Sequence, residues 1–385
     1  MATAVLSKPQ PRPFKLSRER FYRPELDALR FFAFFGVFIW HTLSSDVSYY
    51  VAHHLTFAKL AAAFVGAGRF GVDLFFFLSA YLITELLLRE KEQFGVMDLR
   101  SFYLRRILRI WPLYFLAILI AIFLSHIDPT QTFPLTYALA FVLLSGNWLI
   151  SLRLAGILRI ADTASVMVIL WSVSFEEQFY LLWPAFLARA RRQTILTASG
   201  VLFIISALSR MVLLRYDHHS ETAIFTNSLA RLDPLALGIV TAVLLHDRKI
   251  RLRWFVRLGL FTSGFATLIA AGYYFHLTRG FMLFGYPAVA AGVSLVFLSV
   301  YQIRFVPRQL RYLGKISYSL YIFHMLALYL SLKVLGVPHN LRSFLYYWGF
   351  GLTITLLLAA FSYYFIESPF LRLKERFARI KSRPV

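Results

Sequence analysis

Apolar stretches alternate with short basic joints along nearly the whole chain, and this pattern leaves few folds open. Eleven such stretches lie near 28–44, 70–88, 110–125, 134–150, 166–188, 195–214, 228–246, 258–276, 281–303, 316–336 and 344–366. Several reach the ~20 residues that a helix needs to cross a bilayer. A spanning segment must satisfy its backbone polar groups internally, which favours helix over open sheet. No polar stretch between them is long enough for a soluble domain. The expectation is an all-α integral membrane protein with one membrane domain over 26–370. A basic, partly disordered tail is expected over 1–25 and a second basic tail over 371–385. The 59% hydrophobic content fits that class.

The net charge of +22 raises the question of nucleic acid, and its distribution answers it. Most Lys and Arg fall in 8–30, 89–109, 189–192, 248–257, 304–315 and 372–383, the flanks of apolar spans. That is the positive-inside pattern, so these blocks are expected in the cytoplasm and nucleic acid is not expected as a partner. Both tails are basic, so both termini are expected inside, which requires an even number of crossings. The parity fails only between 126 and 189. We therefore expect about ten transmembrane helices, with 134–150 a half-membrane or peripheral helix on the outer side, broken at Gly146-Asn147-Trp148. The chain has no cysteine, which excludes disulfides, thiolate metal sites and a cysteine acyl-enzyme. No small-residue cleavage site follows the first apolar run, which reads as a retained signal-anchor. No zinc spacing, phosphate-binding loop, nucleophile elbow or dinucleotide fingerprint is present, and no metal is expected.

Polar groups inside hydrocarbon are costly, and each is a candidate for function. The first apolar run, LRFFAFFGVFIWH, carries Arg30 and His41. Eleven residues make close to three helical turns, so the two share a face about 16 Å apart along the axis. Asp27 lies on that face too. Arg106 and Arg109, at i and i+3, also share a face, and converging guanidiniums suit phosphate groups. The bland reading is that arginines snorkel at inner helix ends, and Lys315 carries the same reading.

The expected topology puts His41, Asp73, Glu176, Glu177, Arg231 and Asp233 in the outer half and His324 near mid-membrane. Cations inside and acid/base groups outside suggest an anionic ligand from the cytoplasm and chemistry delivered outward. Arg231 and Asp233 are candidates to pair with each other. Adjacent Glu176 and Glu177 point about 100° apart, so only one faces inward. His324 can also serve structurally, by donating to a backbone carbonyl. His41 and Asp46 form an H-x4-D spacing, but five residues put them about 140° apart on a helix.

Seven segments in order resemble the acyltransferase family 3 membrane proteins: RPELDALRFFAFFGVFIWH (23–41), RFGVDLFFFLSAYLIT (69–84), SFYLRRILRIWPLYF (101–115), WSVSFEEQFYLLWP (171–184), LARLDPLALGIVTA (229–242), LGKISYSLYIFH (313–324) and FIESPF (365–370). The resemblance implies a ten-span carrier moving a short acyl group, in particular acetyl, from cytoplasmic acyl-CoA to hydroxyls of an exported glycan or polysaccharide. It implies a bacterial inner membrane, acyl-CoA as donor substrate and no bound cofactor. The family's motifs carry over to Arg30 and His41, to the pair Arg106 and Arg109, and to Glu176; taken with the expected topology, Arg30, Arg106 and Arg109, with Lys315 beside them, would bind acyl-CoA. His41, Glu176, Asp73 and His324 would be the catalytic candidates, and Arg231, Asp233 and Glu177 would lie on the acceptor side. The family usually has glycine where this chain has Ala28 and Ala80; both are small enough to keep helices close. Many relatives carry an additional outer hydrolase-like domain, so a separate periplasmic transferase is a candidate partner. A small-molecule acceptor, a proton-coupled transporter and a non-catalytic scaffold are the competing readings.

Overall fold

The computed structural model describes residues 21–52, 54–216, 221–274, 279–303, 305–378 and 380; among these every regular element is helical. In chain order the helices are α1 (Pro24–Thr42), α2 (Val47–Ala52), α3 (Ala58–Gly68), α4 (Gly71–Phe94), α5 (Leu99–Ile127) and α6 (Leu135–Val142). They continue as α7 (Gly146–Leu154), α8 (Leu170–Arg189), α9 (Arg192–Tyr216), α10 (Glu221–Thr226), α11 (Asp233–Leu245) and α12 (Trp254–Tyr274). The last are α13 (Arg279–Val300), α14 (Arg308–Lys315), α15 (Ser317–Leu335), α16 (Leu341–Ser362) and α17 (Ser368–Glu375). A π-helical turn, Tyr363–Glu367, joins α16 to α17.

Among the described residues seven helical runs are long and apolar enough to cross a membrane: Ala58–Phe94, Leu99–Ile127, Arg192–Arg215, Trp254–Tyr274, Gly280–Val300, Ser317–Leu335 and Leu341–Glu375. This is the build of a multi-pass membrane protein. Helices α1 and α8, of 19 and 20 residues, have the length as well but hold more charge: Glu25, Asp27 and Arg30 in one, Glu176, Glu177 and Arg189 in the other.

Three stretches fold differently from a plain hydropathy reading. Residues 134–150 fall in two helices of 8 and 9 residues, each too short to cross. The chain turns between them at Leu144, which has a positive φ of 57°, just before the expected break at Gly146. The stretch 228–246 becomes a short 3-10 turn followed by α11, whose 13 residues span only about 20 Å. The apolar run expected to begin at 70 instead starts at Ala58. The tail at 1–25 lies mostly outside the described residues. Within the basic tail expected at 371–385, residues through Glu375 continue as helix.

Small residues set the close packing around α1. A Cβ on Gly68 would stand 2.3 Å from the Gly36 carbonyl oxygen, and one on Gly71 would stand 2.1 Å from that of Ala33, so neither position has room for a side chain. Ala80 is fully buried and lies against Gly238 of α11, so the methyl is tolerated where the partner helix is itself bare.

Buried ion pairs fasten the same region. The Arg231 guanidinium meets Asp73 at 2.6 Å, and that of Arg210 meets Asp233 at 2.6 Å, all four side chains no more than 1% exposed. The expected Arg231–Asp233 pair is therefore replaced by two pairs to other helices. Adjacent sites on one short turn cannot face each other as well as they face α4 and α9. Phe225 and Tyr286 rings flank the Arg231 guanidinium at 4.4 and 4.5 Å. Breaking either pair would leave a buried charge uncompensated.

Candidate active site

Two cavities open into the bundle, and α1 runs past both. The first gathers cations: Arg30 of α1, Arg105, Arg106 and Arg109 of α5, and Lys374 of α17. Helix α5 starts on an Asp98 cap whose carboxylate accepts from the Ser101 amide at 3.0 Å, so its first turns, with the arginines, are held rather than frayed. Ser79 of α4, Glu176 and Tyr180 of α8, and Tyr318 and Tyr321 of α15 complete the wall. The acids here are already engaged. Asp27 accepts from Arg30 at 3.2 Å and from the Tyr22 hydroxyl at 2.8 Å. Glu90 accepts from the Asp98 amide at 2.8 Å and from Arg105 at 3.4 Å. Glu176 accepts from Tyr180 at 2.6 Å and from Ser79 at 3.2 Å. Arg106 lies between the Phe102 and Tyr180 rings, at 5.3 and 5.1 Å, and among the described residues no carboxylate pairs with it or with Arg109. A cavity rich in cations with its acids spoken for is suited to a polyanion.

The second cavity, of about 360 Å³, is lined by Trp40, His41, Tyr137, Arg153, Asp162, Trp171, Phe225 and Met325 among others. His41, in the last turn of α1, sits on its wall. His324 of α15 is fully buried behind it, its Nε2 3.1 Å from His41 Nδ1. The Nδ1 of His324 lies 2.6 Å from the Tyr321 carbonyl oxygen. A carbonyl only accepts, so His324 Nδ1 carries the proton. Its Nε2, when neutral, is then an acceptor, and His41 Nδ1–H must donate to it. This leaves the His41 Nε2 lone pair as the basic atom. His324 thus makes the backbone bond of its bland reading and also fixes the tautomer of His41.

The cavities share Val72 and Tyr321 as lining residues, so one wall separates them. The Tyr321 hydroxyl is hydrogen-bonded to Ser172 Oγ at 2.7 Å, which pins the ring in that wall. The straight α1 carries the chain from Arg30 at one cavity to His41 at the other, about 16 Å.

Several candidates stand elsewhere than expected. Glu176 faces the arginine cavity, not the His41 cavity, because the α8 face it shares with Tyr180 at i+4 turns toward α5. Glu177 points away and accepts from Trp111 Nε1 at 2.9 Å. Asp73, Arg231 and Asp233 are consumed in the buried pairs and line neither cavity, so Asp73 does not orient His41. Lys315 lies over the Tyr363 ring at 5.0 Å and is not part of the arginine cavity, since α14 packs it outward against the π-helical turn. Asp46 serves its own loop, accepting from the Ser48 amide at 2.9 Å. Sequence reasoning missed Lys374, Tyr180 and Tyr321. Tyr180 and Tyr321 were within reach, being four residues after Glu176 and three before His324 on the same helical faces.

Comparison with known proteins bears on the family of the chain rather than on its site. The chain is similar to O-acetyltransferase OatA of Staphylococcus aureus, strains NCTC 8325 / PS 47 and COL, at 29% identity over 374 residues in each case. The match takes in 90% of this chain and 57% of each relative, so the chain spans a little over half their length. No solved structure matches it. The model for the acyltransferase domain matches residues 23–364, and the chain therefore belongs to acyltransferase family 3.

Proposed function

We propose that the protein is a membrane O-acyltransferase that moves a short acyl group, in particular acetyl, from acyl-CoA to a hydroxyl of an exported glycan. What carries the reading is the pairing along one helix of an arginine cavity, in which Arg106 and Arg109 have no carboxylate pair among the described residues, with an oriented imidazole about 16 Å away. The relatives' name, O-acetyltransferase, supports the choice of acyl group. If the short α11 crosses along with the seven long runs and α1 and α8, there are ten crossings and both termini are in the cytoplasm; the arginine cavity then opens to the cytoplasmic side of a bacterial inner membrane and the His41 cavity to the outer side.

Arg30, Arg106 and Arg109 hold the phosphates of the donor, and Arg–phosphate geometry is two-pronged and directional. The pantetheine arm runs along α1, past Val72 and Tyr321, and brings the thioester carbonyl to His41. An acceptor hydroxyl enters from the outer cavity. His41 Nε2 removes its proton as the oxygen attacks the carbonyl carbon. The tetrahedral intermediate collapses, the C–S bond breaks, and the proton on His41 passes to the leaving thiolate. The products are an ester and free CoA, and the histidine returns to its starting state. Glu176, tied to Ser79 and Tyr180, keeps one negative charge among the arginines and so limits their mutual repulsion.

The test is transfer from labelled acetyl-CoA to a glycan acceptor in proteoliposomes. His41→Ala should lower turnover roughly 10²–10⁴-fold with CoA affinity unchanged. His41→Gln should do no better, because an amide takes no proton at neutral pH. Robust turnover by His41→Gln would remove the general base from the scheme.

A further inference from the structure

The arginine cavity has a wall that no motif foretold. After α16 the helix widens into the π-helical turn Tyr363–Glu367 and resumes as α17. The turn is fastened from behind, because the buried Glu367 carboxylate accepts from the Ser319 hydroxyl of α15. A π-turn shifts the register of the helix beyond it and recurs at functional sites. Here it aims α17 at α5. Lys374, Ala378 and Ile380 line the cavity as a result. The Phe377 carbonyl accepts from Arg105 Nη1 at 2.7 Å, which ties the end of this segment to the arginine helix.

Lys374 is therefore a half-buried ammonium facing a cavity that already holds Arg105, Arg106 and Arg109. Among the described residues no carboxylate pairs with it. Arg106, Arg109 and Lys374 converge there with no carboxylate paired to any of the three among the described residues, which is destabilising on its own, so the arrangement is explained by an anion that occupies the cavity. Arginine offers a rigid fork and lysine a mobile point charge. The two together suit a ligand with phosphates in more than one position.

We propose that Lys374 is a further phosphate ligand of the donor site, and that residues 368–378 form a wall of that site. This rests on the reading of the cavity as the acyl-CoA site. The wall contributes charge through Lys374 and holds Arg105 off the ligand through the Phe377 carbonyl. Donor affinity then depends on a segment that lies beyond the residues 23–364 matched by the family model.

The experiment is titration calorimetry of the detergent-solubilised full chain with coenzyme A. It compares wild type, Arg109→Ala, Lys374→Ala, Lys374→Glu and Lys374→Arg, with thermal melting to confirm that each is folded. The expected result is a loss of affinity of about ten-fold or more for Lys374→Ala, comparable to Arg109→Ala. Lys374→Glu should lose more, and Lys374→Arg should stay within a few-fold of wild type. The affinity of wild type should fall with added salt more steeply than that of Lys374→Ala, since one charge contact is gone. If Arg109→Ala weakens binding while Lys374→Ala and Lys374→Glu bind as wild type does, the proposal is overturned and the donor site stands. If wild type itself has no affinity for coenzyme A, the donor reading fails and Lys374 fails with it.

Discussion

Replacing His324 would separate the proposed base, His41, from the group that orients it. In the structure His324 Nδ1 is committed to the Tyr321 carbonyl at 2.6 Å, and its Nε2 accepts from His41 Nδ1 at 3.1 Å. His324→Ala removes that acceptor and leaves His41 free to turn or to exchange its tautomer. One neutral hydrogen bond contributes about 0.5–1.5 kcal/mol net, so its loss should lower the competent fraction of His41 by roughly 2- to 13-fold. Removal of the base itself costs far more, roughly 10²–10⁴-fold. His324→Ala should therefore fall between wild type and His41→Ala, with kcat down about ten-fold. KM for acetyl-CoA should change little, because His324 lines neither the arginine cavity nor its rim. His324→Gln offers a carbonyl oxygen to His41 Nδ1–H and should recover part of the rate. Initial rates against acetyl-CoA concentration in proteoliposomes, normalised to folded protein by thermal melting, read these effects. A folded His324→Ala as inactive as His41→Ala would make His324 the base. An unchanged rate would make the histidine contact incidental.

Three further outcomes are expected. Arg106→Ala and Arg109→Ala should each weaken coenzyme A binding by about 1.5–3 kcal/mol, and Arg→Lys should restore only part, as an ammonium lacks the fork; calorimetry decides. Gly314→Ala should destabilise the protein by about 1–3 kcal/mol in thermal unfolding, because its Cβ would stand 1.9 Å from the Asp27 carbonyl oxygen and α14 must back away from α1; an unchanged melting temperature would refute that contact. His246, beyond the end of α11, has its pKa raised, chiefly by its hydrogen bond to Glu85, with Asp247 and Glu92 adding to it. A raised folded-state value means that the contact stabilises fully below the unfolded value of ~6.5 and is lost as pH rises through the folded value. Protection of the α11–α12 joint in hydrogen exchange, corrected for the intrinsic pH effect, should decline over that window in wild type and be flat in His246→Gln; equal slopes would refute the link.

Legible in the sequence is whatever one helix decides alone. Arg30 and His41 on one face, and Arg106 with Arg109, follow from helical geometry and an apolar surround. Which acid meets which cation is a tertiary matter. Asp73 and Arg231 are 158 residues apart, and nothing local distinguishes that pair from the Arg231–Asp233 alternative. The side to which Glu176 turns depends on how α8 packs against α5, which hydropathy does not report. Hydropathy also joins 134–150 into one stretch, since apolar residues continue through the turn at Leu144 where the helix stops. Lys374 reads as part of a basic tail because charge clusters at membrane edges usually orient a chain. The packing of α17 onto α5 gives that same charge a cavity to face.

In the proposed reaction, donor and acceptor meet across one wall from opposite sides. Sealed proteoliposomes with the arginine cavity facing the lumen, labelled acetyl-CoA trapped inside and a glycan acceptor only outside, test it directly. Labelled ester is expected on the outer glycan, with free CoA retained within and no signal from His41→Ala. Label appearing outside as intact acetyl-CoA, or ester forming only when donor and acceptor share a compartment, would contradict it.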